Sequence, residues 1–277
     1  MGIKKYIATK DNTITNGFGL NISTRKTGSN MGASDILEIY SVTGQQTTSS
    51  VELSRVLIEF PISSISADRS AGIVPASGSV NFYLRMFNAR HSEQIPKNFT
   101  VNVMAVSQSW QEGTGLDMEG YSDESYGLIA GSNWMSASQT TPWFQVGGDY
   151  HSASYVADIP STTMPNYTFT FNEGTEDILL DITSAVEEWI SGTQPNYGFG
   201  IFLTASNEGY VSNSSGLDTD PILHNPEGSQ KSFYTKRFFS RSSEFFFKKP
   251  AIEARWDSSI KDDRGYFFAS SSMAPGP

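Results

Sequence analysis

Short runs of β-branched and aromatic residues, separated by clusters of Gly, Pro, Asn and Ser, most restrict how this chain can fold. In residues 80–87 the apolar side chains alternate, which places Val80, Phe82, Leu84 and Met86 on one face of an extended strand. Runs of the same kind cover residues 36–42, 56–60, 99–106 and 197–204. Apolar runs of this length between turn-forming residues are typical of β-strands. The pattern therefore predicts an all-β protein.

One segment has a different periodicity. In residues 181–190 the apolar side chains recur three and four positions apart, as on one face of a helix. Ser184 and Glu187 have the spacing of a capping box, and Gly192 supplies a helix end. We expect one short helix over about 182–191, closing one open end of the β structure. Residues 245–247 and 252–256 are predicted to form a C-terminal pair of strands.

The composition favours packing and binding over catalysis. The chain has 18 Phe, 12 Tyr and 5 Trp but no Cys, and its three His residues lie far apart at His91, His151 and His224. Disulfides and thiol chemistry are excluded, and the His spacing does not suggest a zinc site. Few groups remain for acid–base or nucleophilic work near neutral pH. We expect a protein that is not an enzyme.

Acidic residues in two loops are the remaining candidates for chemistry. They are Asp117, Glu119, Asp123 and Glu124 in one loop, and Asp218 and Asp220 in another. Two carboxyls at a suitable separation can hydrolyse a glycosidic bond, and several carboxylates can hold calcium. Acidic side chains in Gly- and Ser-rich loops are usually just solvated, so we expect no catalytic residues and no cofactor, with structural calcium left open.

Charge and hydropathy limit the classes of partner. The formal net charge of −10 argues against general nucleic-acid binding, which needs clustered Lys and Arg. No window of 18 continuous apolar residues exists, so we expect no membrane insertion. The first residues lack the apolar run of a signal peptide, and we expect the chain to be made without one.

Five segments in order resemble the DNRLRE domain family: residues 54–62, 79–84, 110–113, 180–189 and 196–199. The hexapeptide that gives the family its name is absent from this chain. The resemblance implies an antiparallel jelly-roll-like β-sandwich with long elaborated loops, similar to carbohydrate-binding modules of bacterial wall proteins and polysaccharide lyases. It suggests an N-terminal extension with the first strands over 1–35, the sandwich domain over 36–256, and a tail or linker over 257–277.

Large side chains within these segments have structural interpretations. We expect Trp110 and Trp189 to fill the space between the two sheets, and Arg55 to anchor a strand end through its five donors. Gly198 and Gly200 lie between aromatic residues, which predicts a close approach of neighbouring backbone or rings.

The flanking segments resemble virion structural proteins of tailed bacteriophages, particularly those of marine bacteria. The resemblance is carried by residues 9–15, 30–35, 233–241 and 261–265. It implies a non-enzymatic virion component associated with capsid, neck or tail, assembled in the host cytoplasm and then released. Its partners are then other virion proteins, copies of itself, or host-surface polysaccharide. The alternative is a carbohydrate-binding module of a wall-associated or polysaccharide-processing protein.

A C-terminal stretch is the candidate interface. Residues 231–255 contain seven basic and two acidic residues, a net charge of +5 that leaves −15 on the rest of the chain. Aromatic and basic side chains in such a mixture are typical of protein interfaces. The predicted contact residues are Phe233, Tyr234, Arg237, Phe238, Phe239, Arg241, Lys248 and Lys249. The alternative is a pair of amphipathic strands whose aromatic side chains enter the core while the basic ones face water.

For glycan binding, aromatic residues of the long loops are the candidates. Tyr126, Trp134, Trp143 and Tyr150 lie in the region 108–172, where regular strand signals fade. Aromatic rings presented on a surface can stack on sugar rings, so we expect these four to contact a glycan if one is bound.

Overall fold

The computed structural model describes residues 1–43, 51–90, 95–116, 120–151, 164–212 and 222–258. Its strands are β1 (Gly2–Ile7), β2 (Lys10–Thr15), β3 (Ile36–Thr43), β4 (Val51–Glu59), β5 (Asn81–Met86), β6 (Phe99–Ala105), β7 (Tyr167–Phe171), β8 (Ile178–Asp181), β9 (Phe199–Leu203), β10 (Phe233–Phe239) and β11 (Ala251–Trp256). Two helices, α1 (Ile62–Ser70) and α2 (Thr183–Ser191), interrupt them.

The strands form two sheets, and every registered strand pair is antiparallel. The smaller sheet has the order β1-β11-β5-β8, and the larger has the order β10-β3-β4-β9-β6-β7 with β2 also paired to β4. The structure confirms the predicted all-β sandwich. β1 and β2, within the predicted N-terminal region 1–35, are full members of the two sheets.

The main core lies between the sheets. Strand alternation directs Phe82, Leu84 and Met86 of β5 inward, and they meet side chains such as Val56 and Ile58 of β4 from the larger sheet. All five are inaccessible to solvent. Burial of apolar area contributes about 25 cal/mol per Å², so this core supplies the main stabilisation of the sandwich.

A second core covers the outer face of the larger sheet. Leu57 of β4 and Phe202 of β9 point away from the main core and pack under loop residues Trp110, Trp134 and Trp143. This core explains the weak strand signals of the region 108–151, because its chain forms an irregular cover held by apolar contacts. The prediction that Trp110 fills the space between the sheets is wrong, since it packs on this outer face, whereas Trp189 does lie in the main core.

Both helices pack on the main core. The predicted helix is confirmed as α2, and it ends at Gly192, which adopts the left-handed conformation that glycine favours (φ 76°). The predicted capping box is wrong, because Ile182 is the N-cap residue and makes no side-chain capping bond. Glu187 instead accepts two hydrogen bonds from Arg69 of α1, at 2.6 and 2.7 Å.

Helix α1 was not expected from the sequence. Its nine residues include four Ser, which are not strong helix formers, and Ile62 and Ile65 are its only large apolar side chains. The helix buries Ile62 and Ile65, three positions apart, against the main core. Tertiary packing therefore decides the conformation of this segment. No helix in the described part of the chain is long and apolar enough to cross a membrane.

The predicted C-terminal strand over 252–256 is confirmed as β11, but its predicted pairing with a strand over 245–247 is wrong. Strand β11 lies between β1 and β5, and Phe246–Lys248 form a 3₁₀ turn. The backbone N–H of Lys248 donates to the carbonyl of Phe245 at 2.9 Å, which closes this turn. Pro250 follows, and proline disfavours helical geometry in the residue before it, so the chain becomes extended before β11.

The two glycines before and within β9 permit the predicted close approaches. Gly198 has a φ of 79°, and a Cβ atom there would collide with the carbonyl oxygen of Ile58. A Cβ atom at Gly200 would collide with the ring of Tyr150. Both a backbone and a ring approach this part of the chain, and Gly200 lets the covering loop lie directly on the sheet.

Candidate functional site

The aromatic residues of the predicted interface are divided between the core and the surface. Strand β10 pairs with β3, and its Phe238 is fully buried in the main core. Tyr234 is partly buried and packs against the ring of Phe99, 5.5 Å between centroids, while Phe233 is 62% exposed. The prediction that Phe238 contacts a partner is therefore wrong. In β10 the alternative, an amphipathic strand with aromatic side chains in the core, describes this residue correctly.

The arginines of the predicted interface already have carboxylate partners. Arg237 forms an ion pair with Glu38 of β3, 2.9 Å from Nε to Oε1. Arg241 forms a bidentate pair with Glu112, at 3.0 and 2.7 Å. These contacts tie the C-terminal part of the chain to β3 and to the covering loops. Partner binding through either arginine requires breaking an internal ion pair.

The exposed remainder forms a compact group, here called the aromatic-basic cluster, which comprises Phe239, Phe245, Phe246, Phe247, Lys248 and Lys249. Phe245, Phe246 and Phe247 are 49%, 60% and 84% exposed. The ammonium of Lys248 lies 4.7 Å from the ring centroid of Phe239 and 5.3 Å from that of Phe245. In the described ranges, neither Lys248 nor Lys249 forms an ion pair with a carboxylate.

A groove joins this cluster to the outer face of the smaller sheet. It has a volume of about 350 Å³ and is lined by Phe246, Phe247 and Lys249 on one side. Lys5 of β1 and Arg85, which directs its guanidinium over Phe87 at 4.4 Å, form part of the other side. The 3₁₀ turn that replaced the predicted strand positions the two phenylalanines at this rim. Phe245, Phe246 and Phe247 were not among the predicted contact residues, although their run of three Phe is visible in the sequence.

The predicted glycan-stacking residues are mostly inaccessible. Trp134, Trp143 and Tyr150 are 0%, 3% and 8% exposed and belong to the second core. The indole N–H of Trp143 donates to the carbonyl of Asn133 at 2.8 Å, and Tyr150 donates to the carbonyl of Gly147 at 2.8 Å. Stacking on a sugar needs an open ring face, so the prediction is wrong for Trp134 and Trp143 and does not hold for Tyr150 as a surface platform. Tyr126 is 68% exposed.

Arg55 occupies the middle of β4, so it does not anchor a strand end as predicted. Its guanidinium is surrounded by aromatic rings, 4.6 Å from the centroid of Phe202, 5.5 Å from Trp134 and 5.6 Å from Tyr150. Cation–π contacts of this kind are worth about 2 kcal/mol when desolvated. Burial raises the pKa of Tyr150 to about 12, with the Arg55 charge opposing that shift.

Acidic groups do not assemble into a metal site in the described part of the chain. No group of three or more His, Asp or Glu residues there is arranged to hold an ion. Glu124 pairs with Lys26 at 2.8 Å, and a carboxylate oxygen of Asp123 accepts the backbone N–H of Leu116 at 2.8 Å. Asp117, Glu119, Asp218 and Asp220, as well as His91, lie outside the described residues.

Two buried carboxyls, one in each sheet, have opposite pKa shifts. Burial raises the pKa of Asp11 to about 7, partly offset by a hydrogen bond from the backbone N–H of Arg241. Burial also acts on Glu253 of β11, but hydrogen bonds from Arg255 and Lys5 outweigh it and lower that pKa. One oxygen of Asp11 is buried without a hydrogen-bond partner, which explains why its charged form is disfavoured.

Comparison of the chain with models of known protein families and with curated proteins finds no match. The resemblances to the DNRLRE domain and to phage virion proteins therefore stay predictions.

Proposed function

We propose that this protein is a non-enzymatic component of a bacteriophage virion, and that it binds an acidic surface of a neighbouring virion protein. The contact is made by the aromatic-basic cluster and the groove beside it. The observation that carries this proposal is the exposure of three consecutive phenylalanines, Phe245, Phe246 and Phe247. Contiguous exposed apolar surface rimmed by polar residues marks interaction sites.

Burial of the apolar part of the cluster provides favourable binding free energy. Phe246 and Phe247 expose more than half of their surface, and their rings contact each other edge to face at 5.5 Å. Covering such rings removes apolar area from water at about 25 cal/mol per Å². Aromatic side chains are also enriched at the centres of interfaces, where they act as binding hot spots.

The charges of the cluster identify the chemistry of the partner. Lys248 and Lys249 are next to the exposed rings and form no ion pair with a described carboxylate, in contrast to Arg237 and Arg241, although the charge of Lys249 helps to lower the pKa of buried Asp11. Residues 231–255 carry +5 in a chain whose total charge is −10. An acidic partner surface complements this patch, whereas a basic one is repelled.

The virion context rests on the resemblance of the flanking segments to phage structural proteins. Purified virions should contain the protein in a fixed, symmetry-related copy number, measured by quantitative mass spectrometry and cryo-electron microscopy. Absence of the protein from virions overturns this part of the proposal.

A double substitution tests the surface itself. Phe246→Ser with Phe247→Ser should reduce incorporation of the protein into virions at least tenfold, because about 1.4 kcal/mol of lost binding energy corresponds to a factor of ten. Phe233→Ser is the matched control, since Phe233 is 62% exposed on β10 and lies outside the cluster.

Charge reversal provides the second arm of this experiment. Lys248→Glu with Lys249→Glu should weaken incorporation, and added salt should weaken the wild-type contact, because exposed charges are screened. Equal incorporation of all variants contradicts the role of the cluster. Self-association of the pure protein that Phe246→Ser abolishes would identify a second copy as the partner and contradict the proposed neighbour.

A further inference from the structure

A separate pocket opens over the outer face of the larger sheet, where the second core ends. Its volume is about 260 Å³, slightly below the range of about 300–1,000 Å³ for drug-sized ligands. Phe202, Met104 and Leu223 supply apolar walls, together with the edge of Tyr150. The pocket is therefore sized for one small ring with an apolar side.

The floor of this pocket holds an arginine and a glutamate that do not hydrogen-bond to each other. Arg55 is 8% exposed and Glu208 is 7% exposed, and their nearest atoms, Nη2 and Oε1, are 3.7 Å apart. Nη1 of Arg55 donates to the carbonyl of Gly147 at 3.1 Å, but its buried Nε has no hydrogen-bond partner. Nε and Nη2 form one edge of the guanidinium, so this edge has donor capacity left.

Glu208 likewise has unused acceptor capacity. Within the described ranges its carboxylate accepts no hydrogen bond, and its one charged neighbour is Arg55. Burial raises the pKa of this carboxyl, and the Arg55 charge opposes that shift. Buried polar groups in native proteins are normally hydrogen-bonded, so the unpartnered Nε of Arg55 and the Glu208 carboxylate beside it can both take a hydrogen-bonding ligand.

Amide side chains extend the polar wall. Asn102 of β6 and Gln145 of the covering loop both line the pocket. Neither side chain makes a hydrogen bond to any described residue, although each has two donors and an acceptor. Several unused donors and acceptors thus converge on one partly apolar cavity, which is the usual composition of a small-molecule site.

We propose that this pocket binds a neutral polyhydroxyl ligand, namely a single sugar ring. A hydroxyl group accepts from the free edge of Arg55 and donates to Glu208, which satisfies both with one oxygen. Further hydroxyls meet Asn102 and Gln145, while the C–H face of the ring packs on Met104, Leu223 and Phe202.

Charged groups of both signs line the pocket and disfavour an ionic ligand. A carboxylate or phosphate ligand approaching Arg55 is repelled by Glu208 and by Asp149, which also lines the pocket, and an ammonium ligand approaching either carboxyl comes near the charge of Arg55. Removing charge from water is costly unless it is paired, so either ion displaces an existing partner. A hydroxyl group has both a donor and acceptors and requires no such displacement.

Nuclear magnetic resonance of the purified protein with labelled methionine methyl groups tests the site directly. Methyl glucoside, methyl galactoside and methyl mannoside are the neutral probes, and glucuronate and glucosamine are the charged ones. At least one neutral probe should shift the Met104 signal in a saturable manner, with a dissociation constant on the order of millimolar. Met86, fully buried in the main core, is the internal control and should not shift.

Substitutions identify the groups that bind. Asn102→Ala should weaken binding of the neutral probe about 3- to 10-fold, the usual effect of losing a hydrogen bond. Asn81→Ala, which removes an outward amide from β5 of the smaller sheet, should leave binding unchanged. Glu208→Gln should weaken the discrimination against glucuronate, because it removes the repelling charge.

Three outcomes overturn the proposal. They are the absence of any saturable Met104 shift with the neutral probes, tighter binding of glucuronate or glucosamine than of the neutral glycosides, and binding that Asn102→Ala does not weaken. The test uses the isolated protein, so its result is independent of virion incorporation.

Discussion

The outer faces of the two sheets differ in how far the rest of the chain covers them. On the larger sheet, outward residues of β4 and β9 such as Leu57 and Phe202 lie under a second core that contains three tryptophans. On the smaller sheet, most outward residues of β5 and β11 are charged or polar, Ala251 being an exception, and Arg255 lies over the ring of Tyr83 at 4.8 Å. One face is closed by its own chain, and the other remains at the surface.

We infer that the covered face contributes mainly to stability, whereas the surface beside the open face is available for association. A covered face binds its loops through burial, and loss of a side chain there leaves a cavity. The other face carries ion pairs with at least one partly exposed partner, such as Lys5 with Glu253, and beside it lie the exposed rings of the aromatic-basic cluster. The following substitutions test whether the covered face mainly supplies stability and the open face mainly supplies a surface for association.

The largest effect is expected on the covered face. Trp134→Ala should lower the free energy of unfolding by about 3–5 kcal/mol, because Trp134 is fully buried and the loops cannot fill the space it leaves. Urea unfolding followed by circular dichroism measures this loss. Phe247→Ala is the control at the surface, with an expected change within about 0.5 kcal/mol. Similar losses in both variants contradict the division between the faces.

The pH dependence of stability compares two carboxyls. Asp11 has a pKa of about 7 in the folded protein and 3.8 as its ordinary value, so the folded state keeps a proton that the unfolded chain releases. Its stabilisation is complete below about pH 3.8 and is lost as the pH rises through 7. Between pH 5 and 7 the free energy of unfolding of the wild type should therefore fall by about 2–3 kcal/mol relative to that of Asp11→Asn, measured by urea unfolding at each pH.

Glu253 provides the control with the opposite sign. Because its folded pKa is lowered below the ordinary value of 4.5, it stabilises the protein above that pH and loses the effect as the solution becomes more acidic. Glu253→Gln should leave the slope between pH 5 and 7 unchanged. A flat wild-type profile in that window, or a slope that Asp11→Asn retains, refutes the proposed role of Asp11.

A matched pair of arginines gives the smallest effects. Arg55→Met on the covered face should lower the free energy of unfolding by about 1–3 kcal/mol, because Glu208 loses its charged neighbour and the rings lose their cation–π contacts, while the methionine still fills the aromatic surroundings. Arg255→Met on the open face should cost at most about 1 kcal/mol, since Glu253 keeps its contact with Lys5. Equal costs in unfolding experiments mean that the two faces are not energetically distinct.

Strands β3, β4, β5, β6, β9 and β11 were predictable because short apolar and aromatic runs indicate them locally, whereas β8 was not predicted. The runs that contain Phe82 and Val101 appear as β5 and β6 with ends shifted by at most one residue. Helix α2 was equally visible because several apolar residues recur along it at helical spacing, whereas α1 has only two large apolar side chains among its nine residues. Phe245–Phe247 have strand-like residues without alternation, and their turn depends on the nearby Pro250 and on how β11 is paired.

The candidate site was only partly predictable. Aromatic and basic residues in 231–255 indicated a surface, but the sequence alone did not separate buried Phe238 from exposed Phe246. The pocket combines Arg55, Asn102 and Glu208, which are far apart in the chain and share no motif. Such a group becomes visible only when the strands that carry it are adjacent.

The sequence by itself determined that this chain forms strands with an apolar side, because side-chain alternation is a property of neighbouring residues. It also determined the lack of thiol chemistry and the charge contrast between residues 231–255 and the rest. The tertiary structure decided which sheet face is covered, which arginines are paired and which aromatic rings remain in water. These depend on contacts between residues far apart in the chain, and no local pattern specifies them.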